Sequence, residues 1–150
     1  MNKKQKSLTN KGFSLVELII VIAIMAVLVG VLAPQFLKYV ERSKKSTDVQ
    51  NVASIVTAIQ TYAADPMATT ALTNDETITL NTTSTTVADA CSAAGAEAAL
   101  TDAGITNIQL KSSNWGTGDI TLKVKVSNGV VTVEESGLSG SQSILKGTYN

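Results

Sequence analysis

From Leu18 to Ala33 the chain runs for sixteen residues without a charge or a hydrogen-bonding side chain. Widened to Phe13–Leu37, the segment is interrupted only by Ser14, Glu17, Pro34 and Gln35. About twenty apolar residues span a bilayer core as a helix, so this stretch can reach across. A helix that is apolar on every side cannot face water; it needs lipid or a protein sheath. Glu17 is the anomaly. A charged side chain at a bilayer centre costs about 2.5–3.5 kcal/mol even on lenient scales, so it needs a partner or a purpose.

The flanks are basic. Lys3, Lys4, Lys6 and Lys11 precede the run with no acid among them, and Lys38, Arg42, Lys44 and Lys45 follow it with Glu41 as the one opposing charge. A short basic arm ahead of a first apolar segment is most easily retained in the cytoplasm, with the rest exported. Over the whole chain twelve bases balance twelve acids, so no global field favours nucleic acid. Binding of nucleic acid along the Lys38–Lys45 cluster is the weaker reading beside solvated or subunit-paired charges.

The helical period continues past the apolar run. Val52, Ile55, Val56, Ile59, Tyr62 and Ala63 form one stripe, while Asp48, Asn51, Ser54, Thr57 and Thr61 are expected on the opposite, solvated face. Asp65-Pro66 stops the pattern, because a residue before proline avoids helical geometry. The pattern predicts a helix from Ser14 to Ala64, roughly 75 Å long at 1.5 Å per residue. Pro34 cannot donate to the carbonyl of Gly30, so a kink or local unwinding is expected near 30–34, eased by Gly30 itself.

Downstream, Met67–Thr86 is threonine-rich and reads as an exposed connecting loop with a short strand at Thr77–Leu80. Val87–Ala103 is alanine-rich and predicts a second helix, interrupted near Gly95. Ile120, Leu122, Val124 and Val126 then alternate with polar residues, and Asn128-Gly129 leads into Val130–Glu135, the strongest short hairpin signal. A two-residue turn sets Val126 opposite Val131, Val124 opposite Val133 and Lys123 opposite Glu134. Ile108–Lys111 is expected as the third strand of this antiparallel sheet, with the helical stripe as its cover. The fold class is therefore α+β: a long N-terminal spine helix, kinked near Pro34, packed on a small antiparallel sheet.

Several function classes are excluded. The chain has no histidine and a single cysteine, Cys91, so an intrachain disulfide is impossible. Cys91 reads as a small buried apolar residue. Asp75, Glu76, Asp89, Glu97 and Asp102 lack metal-site spacing, and no serine or cysteine stands beside a base. No catalytic site, metal or cofactor is expected, and the chain does not read as an enzyme. Trp115 reads as a core cap, or alternatively as an exposed aromatic for binding. Asn81-Thr82-Thr83 is a formal glycosylation pattern that is most often only solvated.

Lys11-Gly12-Phe13-Ser14-Leu15-Val16-Glu17, followed by the apolar helix and Pro34, resembles the N-terminus of a type IV prepilin. The resemblance implies that residues 1–12 are a leader, removed by a membrane-embedded prepilin peptidase between Gly12 and Phe13. It implies N-methylation of Phe13 and pairing of Glu17 with the N-terminal amine of a neighbouring subunit. It further implies a transmembrane and filament-core helix over 13–37, an amphipathic half over 38–64 and a globular head over 65–150. The partners would be further copies of the chain, the peptidase and the inner-membrane assembly machinery. The precursor would sit in the cytoplasmic membrane with its head outside, and the assembled form would be an extracellular filament for adhesion, motility or aggregation.

Many pilins carry a C-terminal cysteine pair, which this chain lacks, as a Gram-positive lineage would; many have a glycine where Ala26 stands. Two alternatives stay open: the major pseudopilin of a secretion or DNA-uptake apparatus, and a monomeric membrane-anchored binding domain. A conventional signal cleavage after Val31-Leu32-Ala33 is hindered by Pro34.

Overall fold

The computed structural model describes residues 12–83, 85–116 and 118–148. The leader before Gly12 lies outside the described residues. The chain divides into two compact units, Met1–Tyr39 and Val40–Asn150.

The first element, α1, runs from Leu15 to Ala64 and continues through Gly30 and Pro34 as helix. Within the second unit it buries Val52, Ile55, Ala58, Ile59 and Tyr62. The expected stripe is therefore the wall of the core, with two adjustments. Val56 is half-buried, and Ala63, one residue past the buried Tyr62 and turned about 100° from it, is exposed. Asp65 ends the helix, and its carboxylate accepts the N–H of Met67 at 2.8 Å.

The remaining elements are β1 (Glu76–Leu80), β2 (Thr85–Thr86), α2 (Val87–Ala90), α3 (Ala94–Asp102), β3 (Asn107–Ile108), β4 (Ile120–Ser127) and β5 (Val130–Ser136). The main sheet has the order β1-β4-β5 and is antiparallel throughout. Its hairpin has the expected register: Val126 pairs with Val131, Val124 with Val133 and Lys123 with Glu134. Asn128 at φ 51° and Gly129 at φ 76° make the tight turn, both in the left-handed region that a two-residue hairpin loop requires.

The third strand is not the expected one. β1 takes the free edge of β4, pairing Ile78 with Leu122 and Leu80 with Ile120. Ile108–Lys111 is strand only at Asn107–Ile108, which pairs with Thr85–Thr86 in a separate two-stranded sheet. The alternation there is real, since Ile108 and Leu110 are buried, but both edges of β4 are already occupied. The alanine-rich stretch is broken just before Gly95, close to the expected interruption. The break falls at Cys91–Ala93, and Gly95 lies inside α3.

Side chains from every layer meet in one core, including Ile59, Ile78, Leu100, Ile120, Leu122 and Trp115. Trp115 is 1% exposed, so the core reading of this residue holds.

Gly95 is required by packing. A Cβ there would stand 2.6 Å from Glu76 Oε1 and 2.8 Å from the carbonyl oxygen of Ala71. Ala93 caps α3 without a side-chain bond, and Glu76 reaches across from β1 instead, accepting the N–H of Ala96 at 2.6 Å. Glu76 also accepts the N–H and hydroxyl of Thr73, at 2.6 and 2.8 Å. Gly95→Ala is expected to destabilise the second unit by about 1–3 kcal/mol. Gly118→Ala, with nothing within 4 Å of the added carbon, should shift the denaturation midpoint little.

Candidate assembly site

The helix start is built by its own sequence. Ser14, Leu15, Val16 and Glu17 match the spacing of a capping box, in which a residue three past the N-cap reaches back to the N-cap N–H. Glu17 does so: its Oε2 accepts the N–H of Ser14 at 2.8 Å. A negative charge in the first turn also suits the positive end of the helix dipole. Glu17 thus has a purpose within one chain before any neighbour arrives. Phe13 stands immediately before this cap and is 95% exposed.

Beyond the cap, every large apolar side chain from Leu15 to Leu37 is exposed. This is the one helix among the described residues that is long and apolar enough to cross a membrane. The segment over 13–37 spans about 38 Å as a helix, more than a bilayer core of about 30 Å. Phe13, Glu17, Gly30 and Pro34 lie on this segment and Gly12 immediately precedes it, so the sequence-predicted residues share a helix and its entrance, not a pocket.

In the second unit the polar residues that matter were not legible as such. Asp48, expected in solvent, is fully buried. Its carboxylate accepts the N–H of Lys111 at 2.6 Å, the N–H of Ser112 at 2.9 Å and the indole N–H of Trp115 at 2.9 Å. Ser112 in turn donates its hydroxyl to Glu41, about two helical turns before Asp48. Lys45 is 3% exposed, so the basic cluster Lys38–Lys45 is not one solvated face. Its Nζ donates to Gln142 Oε1 at 2.7 Å and stands 5.2 Å from the centre of the Trp115 ring. Three polar residues of α1 therefore hold the segment over 111–115 and the C-terminal stretch.

Two further groups show how charge is spent. Asp75, at φ 70°, accepts from Lys125 at 2.8 Å and Lys123 at 2.9 Å. Those bonds, from Lys125 first and then Lys123, hold its carboxyl down at about 2. Burial, with Glu97 and Glu76 nearby, pushes the half-buried Cys91 thiol up to about 11, far from a reactive thiolate at neutral pH. Among the described residues no group of His, Cys, Asp and Glu gathers that could hold a metal ion.

Residues 8–33 match the family model of the prokaryotic N-terminal methylation motif. The chain is 38% identical over 56 residues to the type IV major pilin protein PilA of Myxococcus xanthus, covering 37% of this chain and 26% of that protein. It is 42% identical over 55 residues to a type IV major fimbrial protein FimA of Dichelobacter nodosus, covering 37% and 35% respectively. It is 36% identical over 63 residues to prepilin peptidase-dependent protein A of Clostridium perfringens, covering 42% and 45%. The matched stretch thus spans between a quarter and a half of these relatives. No solved structure matches the chain. These matches bear out the resemblance to type IV pilins.

The Asp48 cluster makes a sharp prediction. Asp48→Ala leaves buried donors without an acceptor and is expected to cost about 3–5 kcal/mol. Asp48→Asn, which keeps one acceptor but turns an amide N–H toward other donors, should cost about 1–3 kcal/mol. Denaturant titration followed by Trp115 fluorescence reads both, because the indole is itself a partner of Asp48.

Proposed function

We propose that the chain is a structural subunit of a type IV pilus, polymerising through its N-terminal apolar helix. The observation that carries this reading is the coincidence of two features in one segment. An uncovered apolar helix begins at a capped acid beside an exposed Phe13, and the methylation motif covers the same residues. A helix of that kind is stable only in lipid or in a bundle of its own kind.

In this reading the leader over 1–12 is removed at the Gly12–Phe13 bond by a prepilin peptidase, and Phe13 is N-methylated. Residues 13–37 are the membrane anchor of the precursor and then the filament core. Residues 38–64 are the amphipathic half that carries the head. Cleavage creates a cation at Phe13 in a low-dielectric bundle, and Glu17 of a neighbouring copy is the anion that neutralises it. Unpaired, each charge would be costly there; paired between subunits, they fix the axial register. Gly30 and Pro34 weaken the helix ladder and are where unwinding would fall on assembly. The precursor rests in the cytoplasmic membrane with its head outside, and the filament is extracellular. Its function is that of a fibre, for adhesion, motility or aggregation, with no reaction carried by the subunit.

Glu17 serves two roles in this account, and two substitutions separate them. A glutamine at the third helical position can still accept the Ser14 N–H, because capping boxes use Glu or Gln alike. Glu17→Gln therefore keeps the cap and loses the charge, whereas Glu17→Ala loses both. Both variants should fail to yield sheared surface fibres while the precursor still reaches the membrane. Normal fibres from Glu17→Gln would show that capping alone is what the position supplies, and charge pairing between subunits would be discarded.

A further inference from the structure

Lys45 is buried, yet it is in no ion pair among the described residues. A buried lysine ordinarily has a carboxylate against it. What Lys45 meets instead is a carboxamide: its Nζ donates to Gln142 Oε1 at 2.7 Å. The centre of the buried Trp115 ring is 5.2 Å from the same Nζ. One amide oxygen and one ring face are thin compensation for a buried ammonium. The acyl group is also held in place. The Gln142 N–H donates to the Ser139 carbonyl at 3.3 Å, and the adjoining Ser143 exchanges two backbone hydrogen bonds with Thr148, at 2.8 and 2.9 Å. The Ser143 hydroxyl in turn goes to Glu135. Amine and carboxamide, 97 residues apart in the chain, are therefore fixed against each other within the second unit.

We propose that Lys45 and Gln142 join in an intramolecular amide cross-link, formed by the folded chain on itself. Nζ already touches the oxygen bonded to Gln142 Cδ, and it attacks that carbon. The Nζ–Cδ bond forms and the Cδ–Nε2 bond breaks. From a lysine ammonium and a carboxamide the products are one secondary amide and one ammonium ion, so atoms and charge balance without any outside reagent. The amine sheds a proton to attack. Glu41 and Asp48 stand one turn before and one turn after Lys45 on α1, and both are hydrogen-bonded to Ser112. These carboxylates relay the proton, which leaves in the end with the ammonia. Holding reacting groups within about 3–3.5 Å of each other turns a slow bimolecular aminolysis into a unimolecular one. The link closes a loop over most of the second unit, which a chain with a single cysteine cannot do by a disulfide. It is one maturation event on the chain's own atoms, not turnover, and it is independent of the pilus reading.

Peptide mapping by mass spectrometry of the purified full chain tests this. The peptides that carry Lys45 and Gln142 should be recovered as one joined species, lighter than their sum by one ammonia beyond the ordinary count. A chain nicked by protease between the two residues should stay in one piece in denaturant. Lys45→Arg keeps a cation over Trp115 and an N–H toward Gln142, but a guanidinium is a poor acyl acceptor, so this variant should give separate peptides at full mass. Gln142→Met, at a half-buried position, removes the acyl group from the other side and should also be unlinked, whether or not arginine fits at position 45. Separate peptides at full mass from the folded original chain overturn the link. An ammonia lost instead as a cyclic imide at Asn128-Gly129, with Lys45 and Gln142 unjoined, overturns it as well. A joined species that persists in Lys45→Arg would place the bond on another lysine and overturn this assignment.

Discussion

The second unit depends on a carboxylate buried in a wall of apolar side chains. Asp48 sits on the face of α1 that also presents Val52, Ile55 and Ile59, and it ties down the segment that carries Trp115. Burying a carboxylate is costly unless its lone pairs are filled, and here three N–H donors fill them. The same device recurs twice. Glu76 joins β1 to the Thr73 turn and to the start of α3. Glu135 accepts the Ser143 hydroxyl and, at 2.8 Å, the N–H of Leu145, which seats the C-terminal turn with Ile144 in the core. A chain with one cysteine cannot close its loops by disulfides; these carboxylates clasp them through backbone donors. Hydrogen bonds to charged groups contribute about 1.5–3 kcal/mol each, enough for such clasps to matter in a domain of this size.

The other half of α1 obeys a different constraint. Its apolar side chains have no cover among the described residues, and a helix apolar on every side needs lipid or a protein sheath. The carboxylate of Glu17 is engaged with Ser14 in the single chain. In the proposed filament the same oxygen atoms face a newly created amine at a neighbour's Phe13. A carboxylate has room for both partners, since it offers about four acceptor sites. Capping and assembly are then compatible duties of one side chain, and the helix start need not melt for subunits to join.

Much of this was legible in the sequence because periodicity is a strong signal over long segments. The spine helix, its stop at Asp65-Pro66 and the hairpin register around Asn128-Gly129 follow from local pattern and turn chemistry. Ser14 and Glu17 as a cap could also have been read from their spacing. What escaped was tertiary choice. Asp48 looked solvated because an acid beside an apolar stripe usually is, and nothing local reveals that an indole and two backbone N–H groups await it. Lys45 misled for the same reason. Ile108–Lys111 had the right alternation, but which strand takes the edge of β4 is decided by competition with Glu76–Leu80, seen only once the chain is folded. Gly95 was noticed as a helix breaker, whereas its role is to let Glu76 approach the helix start.

The central claim is that this chain is processed at its N-terminus and then assembles through the helix so exposed. The measurement that tests it most directly is the intact mass and N-terminal sequence of the protein recovered from native surface fibres. The account predicts a chain beginning at Phe13 and heavier by one methyl group. A chain that retains Met1, or one cut after Ala33 with the apolar helix gone, would contradict it.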